Sequence, residues 1–237
     1  MARLTRRELK TDTFATRLSA VTEFFLQNRK NFAVVGAAFL LVVAAGWGGS
    51  LYLRSREAQA AEALGKALAA YHGVVSPTPP PGLNARSFKT EKEKYEEAQK
   101  QFTAVAARFP RFSQGRWARY YAALCQRDLG NLSGAEKELS PIAQENDPEL
   151  AAQAKMALAD IDQQNGRVEE AIKLYQELLQ GRPTVTVPKA TVQLALADLY
   201  QQTDPPRALE IYQQMVKEYS GTAIGDVVTE MLKNNLQ

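Results

Sequence analysis

Residues 154–164, AKMALADIDQQ, and residues 192–202, VQLALADLYQQ, share Ala-Leu-Ala-Asp and Gln-Gln in one register at an offset of 38. Each block is followed by a second related segment, Ala171-Ile-Lys-Leu-Tyr175 in one copy and Ala208-Leu-Glu-Ile-Tyr212 in the other, at an offset of 37. A one-residue deletion in the intervening turn accounts for the difference. A period of this length is the mark of stacked helical hairpins, in which each unit buries its apolar face only against its neighbours.

The second segment extends upstream as Ala135 with Leu139 and Ala98 with Phe102, so the four alanines stand 37, 36 and 37 residues apart. Val105, Ile142, Leu178, and Val216 or its neighbour Met215 continue the same helical face. The small residue lets a neighbouring helix approach closely, and the large one fills the adjoining space. The expectation is an all-α fold.

Several positions resemble the tetratricopeptide repeat (TPR) family, whose unit pairs two antiparallel helices, A and B, with a small residue near the middle of each. Leu64-Gly65 in an atypical first copy, Ala122-Ala123, Leu158-Ala159 and Leu196-Ala197 stand where that family has its Leu-Gly pair. Gly130 and Gly166 occupy the inter-helix turn, and Asp204-Pro205-Pro206 replaces it in the last copy. Pro110 and Pro183 sit at the closing proline, with Pro148 displaced by one. The resemblance covers about residues 57–220 and implies a TPR-like α-solenoid of about four repeats. In the first copy the turn gives way to a Pro-rich loop over residues 74–90, carrying Pro77, Pro79, Pro80 and Pro81. Such a segment cannot continue a helix and reads as an extended surface loop. After Ser220-Gly221-Thr222, the residues Ile224, Val227, Val228, Met231 and Leu232 predict a capping helix over 222–234.

Ahead of the repeats lies Phe32–Leu53, 22 residues without a charge between Arg29-Lys30 and Arg54. A helix of that length spans roughly 33 Å, enough for a hydrocarbon core of about 30 Å. The run is longer than a signal-peptide core, and it begins later, so it reads as a retained transmembrane helix. Seven of the 29 Lys and Arg residues precede it, against three acidic residues. The positive-inside rule then puts residues 1–31 in the cytoplasm and the helical domain, 54–237, outside it; the expected setting is a bacterial inner membrane with that domain in the periplasm. Phe14, Leu18, Val21 and Phe25 predict a short interfacial helix, with a loosely ordered tail as the alternative. Residues 54–72 contain no proline, so the spanning helix is expected to run on into the first repeat helix.

The net charge of +3 resides at the front, which leaves the repeats near minus one and excludes a polyanion-binding surface. With Cys125 the one cysteine and His72 the one histidine, zinc modules, dithiol chemistry and Ser-His-Asp catalysis all fall away. Cys125 reads as a buried thiol and His72 as a helix-terminal residue. Gly46, Gly48 and Gly49 lie inside the apolar run, where they favour helix packing and form no phosphate loop. Asp160 with Asp162, or Asp160 with Asp198, would be the candidate carboxylate pair for acid–base work, but Asp160 and Asp198 are repeat-equivalent and so read as groove-lining or cap-pairing residues on the inner face of adjacent A helices. No enzyme, metal, cofactor or small-molecule substrate is expected.

The TPR resemblance implies a concave groove lined by the second, fifth, ninth and twelfth positions of each A helix. In this sequence these are Trp117, Tyr120, Leu124 and Arg127; Gln153, Met156, Asp160 and Gln163; and Thr191, Leu194, Asp198 and Gln201. Aromatic and methionine side chains beside polar groups suit a peptide or partner helix. Trp117, Tyr120 and Leu124 could equally pack on the Pro-rich loop or the first helix. The layout of basic tail, single span and short exported array resembles the ancillary subunit family of the SecYEG translocon, which implies contact with exported chains and periplasmic chaperones. A scaffold for an envelope assembly, in outer-membrane biogenesis, division or pilus machinery, is the competing reading.

Overall fold

The structure, a computed structural model, describes residues 29–76 and 86–235. The expected interfacial helix around Phe14–Phe25 and the prolines at 77–81 lie outside the described residues. The chain divides after Ala58 into two compact units. Helix α1, Arg29–Tyr71, is a single element containing that boundary. No proline or turn signal interrupts it, as the composition of residues 54–72 predicts.

In the first unit, the side chains of α1 from Val34 to Leu53 are exposed, Phe39, Leu41 and Trp47 among them. Exposed apolar surface of this kind has no protein partner within the unit. By length and composition it can cross a membrane, and among the described residues it is the one helix that can.

The second unit continues with α2 (Glu91–Arg108), α3 (Ser113–Asp128), α4 (Leu132–Ile142), α5 (Pro148–Gln164) and α6 (Val168–Gln180). Then come α7 (Lys189–Thr203), α8 (Pro205–Glu218) and α9 (Ala223–Asn235). From α2 onward each helix packs on the next in sequence, and α3 packs also on α5, the second-neighbour contact of a solenoid. The core is accordingly three clusters in series, centred on Phe102, on Leu139 and on Tyr175 with Tyr212.

The alanine period is the spine of this packing. Ala98, Ala135, Ala171 and Ala208 are at most 2% exposed, and so are Phe102, Leu139, Tyr175 and Tyr212 one turn later. Met215 rather than Val216 completes the stripe in the last copy, since Met215 is fully buried. In the A helices Ala123, Ala159 and Ala197 are likewise buried, whereas Gly65 is exposed with open space around it. The first copy departs from the others at that position.

Local chemistry sets the helix ends. Thr90, Asn131, Asp147 and Asp204 accept from the backbone N–H groups of Glu93, Gly134, Leu150 and Arg207, capping α2, α4, α5 and α8. Pro148 therefore starts α5 at its first turn and does not close the hairpin before it. Gly130 and Gly166 turn the chain with φ of +84° and +73°, a region costly to any residue with a Cβ. Gly115 and Gly225 are required for another reason. A Cβ there would lie 2.0 Å from the Phe109 carbonyl oxygen and 2.2 Å from that of Tyr219, so α3 and α9 start on the same tight turn.

Two features were not anticipated. Val74–Val75 (β1) and Ser87–Phe88 (β2) pair as a short parallel ladder that ties the two ends of the Pro-rich loop together. The capping helix α9 buries Val228 and packs Leu232 on the core, but leaves Ile224, Val227 and Met231 on its exposed side.

Candidate protein-binding groove

A cleft of about 290 Å³ lies between α1, α3 and α5, lined by Leu64, Leu68, Trp117, Tyr120, Tyr121, Gln153 and Thr186. Trp117, Tyr120 and Gln153 are three of the residues expected on the groove. The aromatic side chains form a continuous chain from core to surface: Phe102 stacks on Tyr121 at 5.2 Å, and Trp117 stands edge-on to Tyr120 at 5.7 Å. Tyr121 also meets Tyr71, at 5.9 Å. These ring contacts fix the cleft wall before any ligand arrives.

The far rim is a hydrogen-bonded strap. Tyr120 donates to Gln153 Oε1 at 3.1 Å, and Gln153 donates to the Thr186 carbonyl at 3.2 Å. The Glu149 carboxylate accepts from the Val185 N–H, the Thr186 N–H and the Thr186 hydroxyl, at 2.8, 3.1 and 2.5 Å. These three donors hold the Glu149 carboxyl below its ordinary range, the hydroxyl first. The loop between α6 and α7 is thereby fixed across the groove with the Val185 side chain in solvent.

Beyond the aromatic end, a polar chain crosses three repeats. Tyr71 donates to Asp128 at 3.0 Å, and Arg127 binds Asp128 through Nε at 3.0 Å and reaches Asp160 at 3.5 Å. Gln163 donates to the Tyr175 hydroxyl at 2.6 Å, and Tyr175 in turn donates to Asp160 at 3.5 Å. One repeat further, Tyr212 donates to Asp198 at 2.8 Å. The paired Tyr-Asp contact thus recurs between the A and B helices of the last two hairpins, where the preceding hairpin has Leu124 and Leu139 in the core. Loss of hydration raises the Tyr120, Tyr175 and Tyr212 hydroxyls, which stay protonated donors. It also raises the Asp160 carboxyl, against the pull of Arg127.

Of the remaining expected residues, Leu124 belongs to the core and does not face the groove. Its neighbours across the hairpin are apolar, so the ninth position turns inward there. Met156 and Leu194 pack half-buried against the core, and Thr191, Asp198 and Gln201 are exposed on α7. Leu64, Leu68, Tyr121 and Thr186 line the cleft without having been expected there. Leu64 was legible as the Leu of a Leu-Gly pair. Thr186 belongs to a loop, and no periodic pattern reports where a loop folds back.

Cys125 is fully buried, and burial pushes its thiol up to about 12, so it is an inert packing residue. Among the described residues, no three His, Cys, Asp or Glu side chains group as metal ligands.

A stack of helical hairpins with small residues at each crossing and an inner face of aromatic and polar side chains defines a helical-repeat protein. Its family is the tetratricopeptide repeat-like domain, to which the chain belongs: that family's model matches residues 23–182, well over half of the sequence. A second model, tetratricopeptide repeat, matches residues 156–223. No curated protein and no solved structure matches the chain. Tetratricopeptide repeats as a class mediate protein–protein interaction.

Proposed function

We propose that this chain is a membrane-anchored docking module whose repeat array, on the periplasmic side, holds partner proteins in the cleft between α1, α3 and α5. The observation that carries the reading is the preformed aromatic cleft of Leu64, Leu68, Trp117, Tyr120 and Tyr121 on a tetratricopeptide array that follows an exposed apolar helix. A rigid aromatic wall with few rotatable bonds loses little entropy on binding. Asp160 and Asp198 each accept from a tyrosine of their own hairpin, which supports a positioning role for both. The basic front segment supports a cytoplasmic N-terminus. The layout supports an ancillary place beside the Sec translocon and its periplasmic chaperones.

The test is copurification in mild detergent, identified by mass spectrometry, of the wild-type chain and a Trp117→Glu variant. Trp117 is partly buried, packed on the core from the cleft side, so the charge blocks the cleft and thermal melting checks that the variant keeps its fold. Translocon subunits and chaperones retained by wild type and lost by the variant are the expected result. A stoichiometric envelope complex in their place would assign the scaffold role, and partners unchanged in the variant would remove the cleft from docking.

A further inference from the structure

The cleft sits at the end of a charged surface. Asp128, Asp160 and Asp198 bring three carboxylates to the polar chain against the single guanidinium of Arg127. Lys66, on the α1 segment that also supplies Leu64 and Leu68, is matched by Glu62 at 2.6 Å. Tyr120 and Arg127 stand seven residues, about two turns, apart on one face of α3, as do Gln153 and Asp160 on α5, and the two helices are bridged at both levels, by Tyr120 to Gln153 at 3.1 Å and by Arg127 to Asp160 at 3.5 Å. The apolar cleft and the carboxylates are therefore parts of one surface. Arg127 is held by both Asp128 and Asp160, so it has little charge left to offer an anionic ligand. Asp160 remains 46% exposed, and Asp198 is exposed with one oxygen turned to Tyr212.

We propose that the groove selects protein segments in which an apolar side chain is accompanied by lysine or arginine. The apolar group enters between Leu64, Leu68, Trp117 and Tyr120, and the cation lies along Asp160 and Asp198. The assignment rests on the docking role of the cleft given above, and adds to it the chemistry of the partner. Acidic segments are rejected by the same carboxylates, because a like charge brought beside a partly desolvated group is unfavourable. The committed occupant is a segment of another protein chain.

The test uses the full-length protein in detergent and three fluorescent peptides of equal length, read by anisotropy at low and at physiological salt. One alternates leucine and phenylalanine with lysine, one replaces each lysine by glutamate, and one keeps lysine but replaces the apolar residues by serine. The lysine–apolar peptide is expected to bind about ten-fold tighter than its glutamate counterpart at low salt, with the margin shrinking as salt rises. The serine peptide is expected to lose binding, because only the apolar group fills the cleft. A double variant, Asp160→Asn with Asp198→Asn, is expected to abolish the charge preference while leaving apolar binding, and thermal melting checks its fold. Equal binding of the lysine and glutamate peptides, or a preference that survives in the folded double variant, overturns the charge assignment alone. Failure of all three peptides to bind overturns the docking role itself. Self-association that disappears in Trp117→Glu would assign the cleft to a second copy and also overturns the proposal. The salt dependence of the wild-type protein decides the matter even if the double variant does not fold.

Discussion

Replacing Ala171 by leucine tests the packing of the repeats at a fully buried crossing. Ala171 is 0% exposed and begins the Ala-to-Tyr stripe whose second member, Tyr175, is 1% exposed. Leucine adds three carbons where no space exists, and overpacking of a close-packed core costs about 1–3 kcal/mol. The same change at Ala104, on the exposed side of α2, adds the same atoms to solvent and is expected to fall within about 0.5 kcal/mol of wild type. For a domain of this size, about 2 kcal/mol lowers the melting temperature by about 4–8 °C. The assay is thermal melting of the full-length protein in detergent, followed by circular dichroism at the helical band. Equal melting temperatures for the two variants would refute the claim that the repeat alanines are the points of closest approach.

Three further outcomes follow from particular sites. Gly115→Ala is expected to destabilise by about 2 kcal/mol, because its Cβ meets the Phe109 carbonyl, while Gly65→Ala is expected to stabilise by about 0.5–1 kcal/mol, because nothing lies near it in a helix interior. Urea titrations of the two variants should shift in opposite directions. Cys125 is expected to resist maleimide at pH 8 until denaturant is added, and labelling of the native protein at the rate of a free thiol would contradict its burial. The Glu149 carboxyl is lowered in the folded protein, so its contribution to strap order is complete above the ordinary carboxylate range and is lost as pH falls through the lowered value. Hydrogen-exchange protection of the Val185 and Thr186 amides should fall in acid, and Glu149→Gln should remove most of that pH dependence.

The fold was legible because its determinants are periodic. Ala98, Ala135, Ala171 and Ala208 announce the hairpins by recurring every 36 or 37 residues, each with a large apolar or aromatic residue one turn later, and Gly130 and Gly166 mark turns that demand positive φ. The cleft was legible only in part. Trp117, Tyr120 and Gln153 follow from position in the A helix, but Leu124 does not, since its facing residue is Leu139 where the later hairpins have Tyr175 and Tyr212. The identity of a partner across a hairpin decides whether one position faces the core or the groove, and a single helix does not contain that information. The strap over Glu149 and the β1–β2 ladder depend on backbone hydrogen bonds between distant segments, which leave little mark on composition.

The most direct test of the docking role is site-specific photo-crosslinking in intact membranes. A benzophenone side chain is placed at position 117 in the cleft, and in a second variant at position 137, where Lys137 is exposed on α4. Crosslinked partner proteins from position 117, with few or none from position 137, are the expected result. Equal crosslinking from both positions, or partners captured only from position 137, would contradict a cleft that holds its partners between α1, α3 and α5.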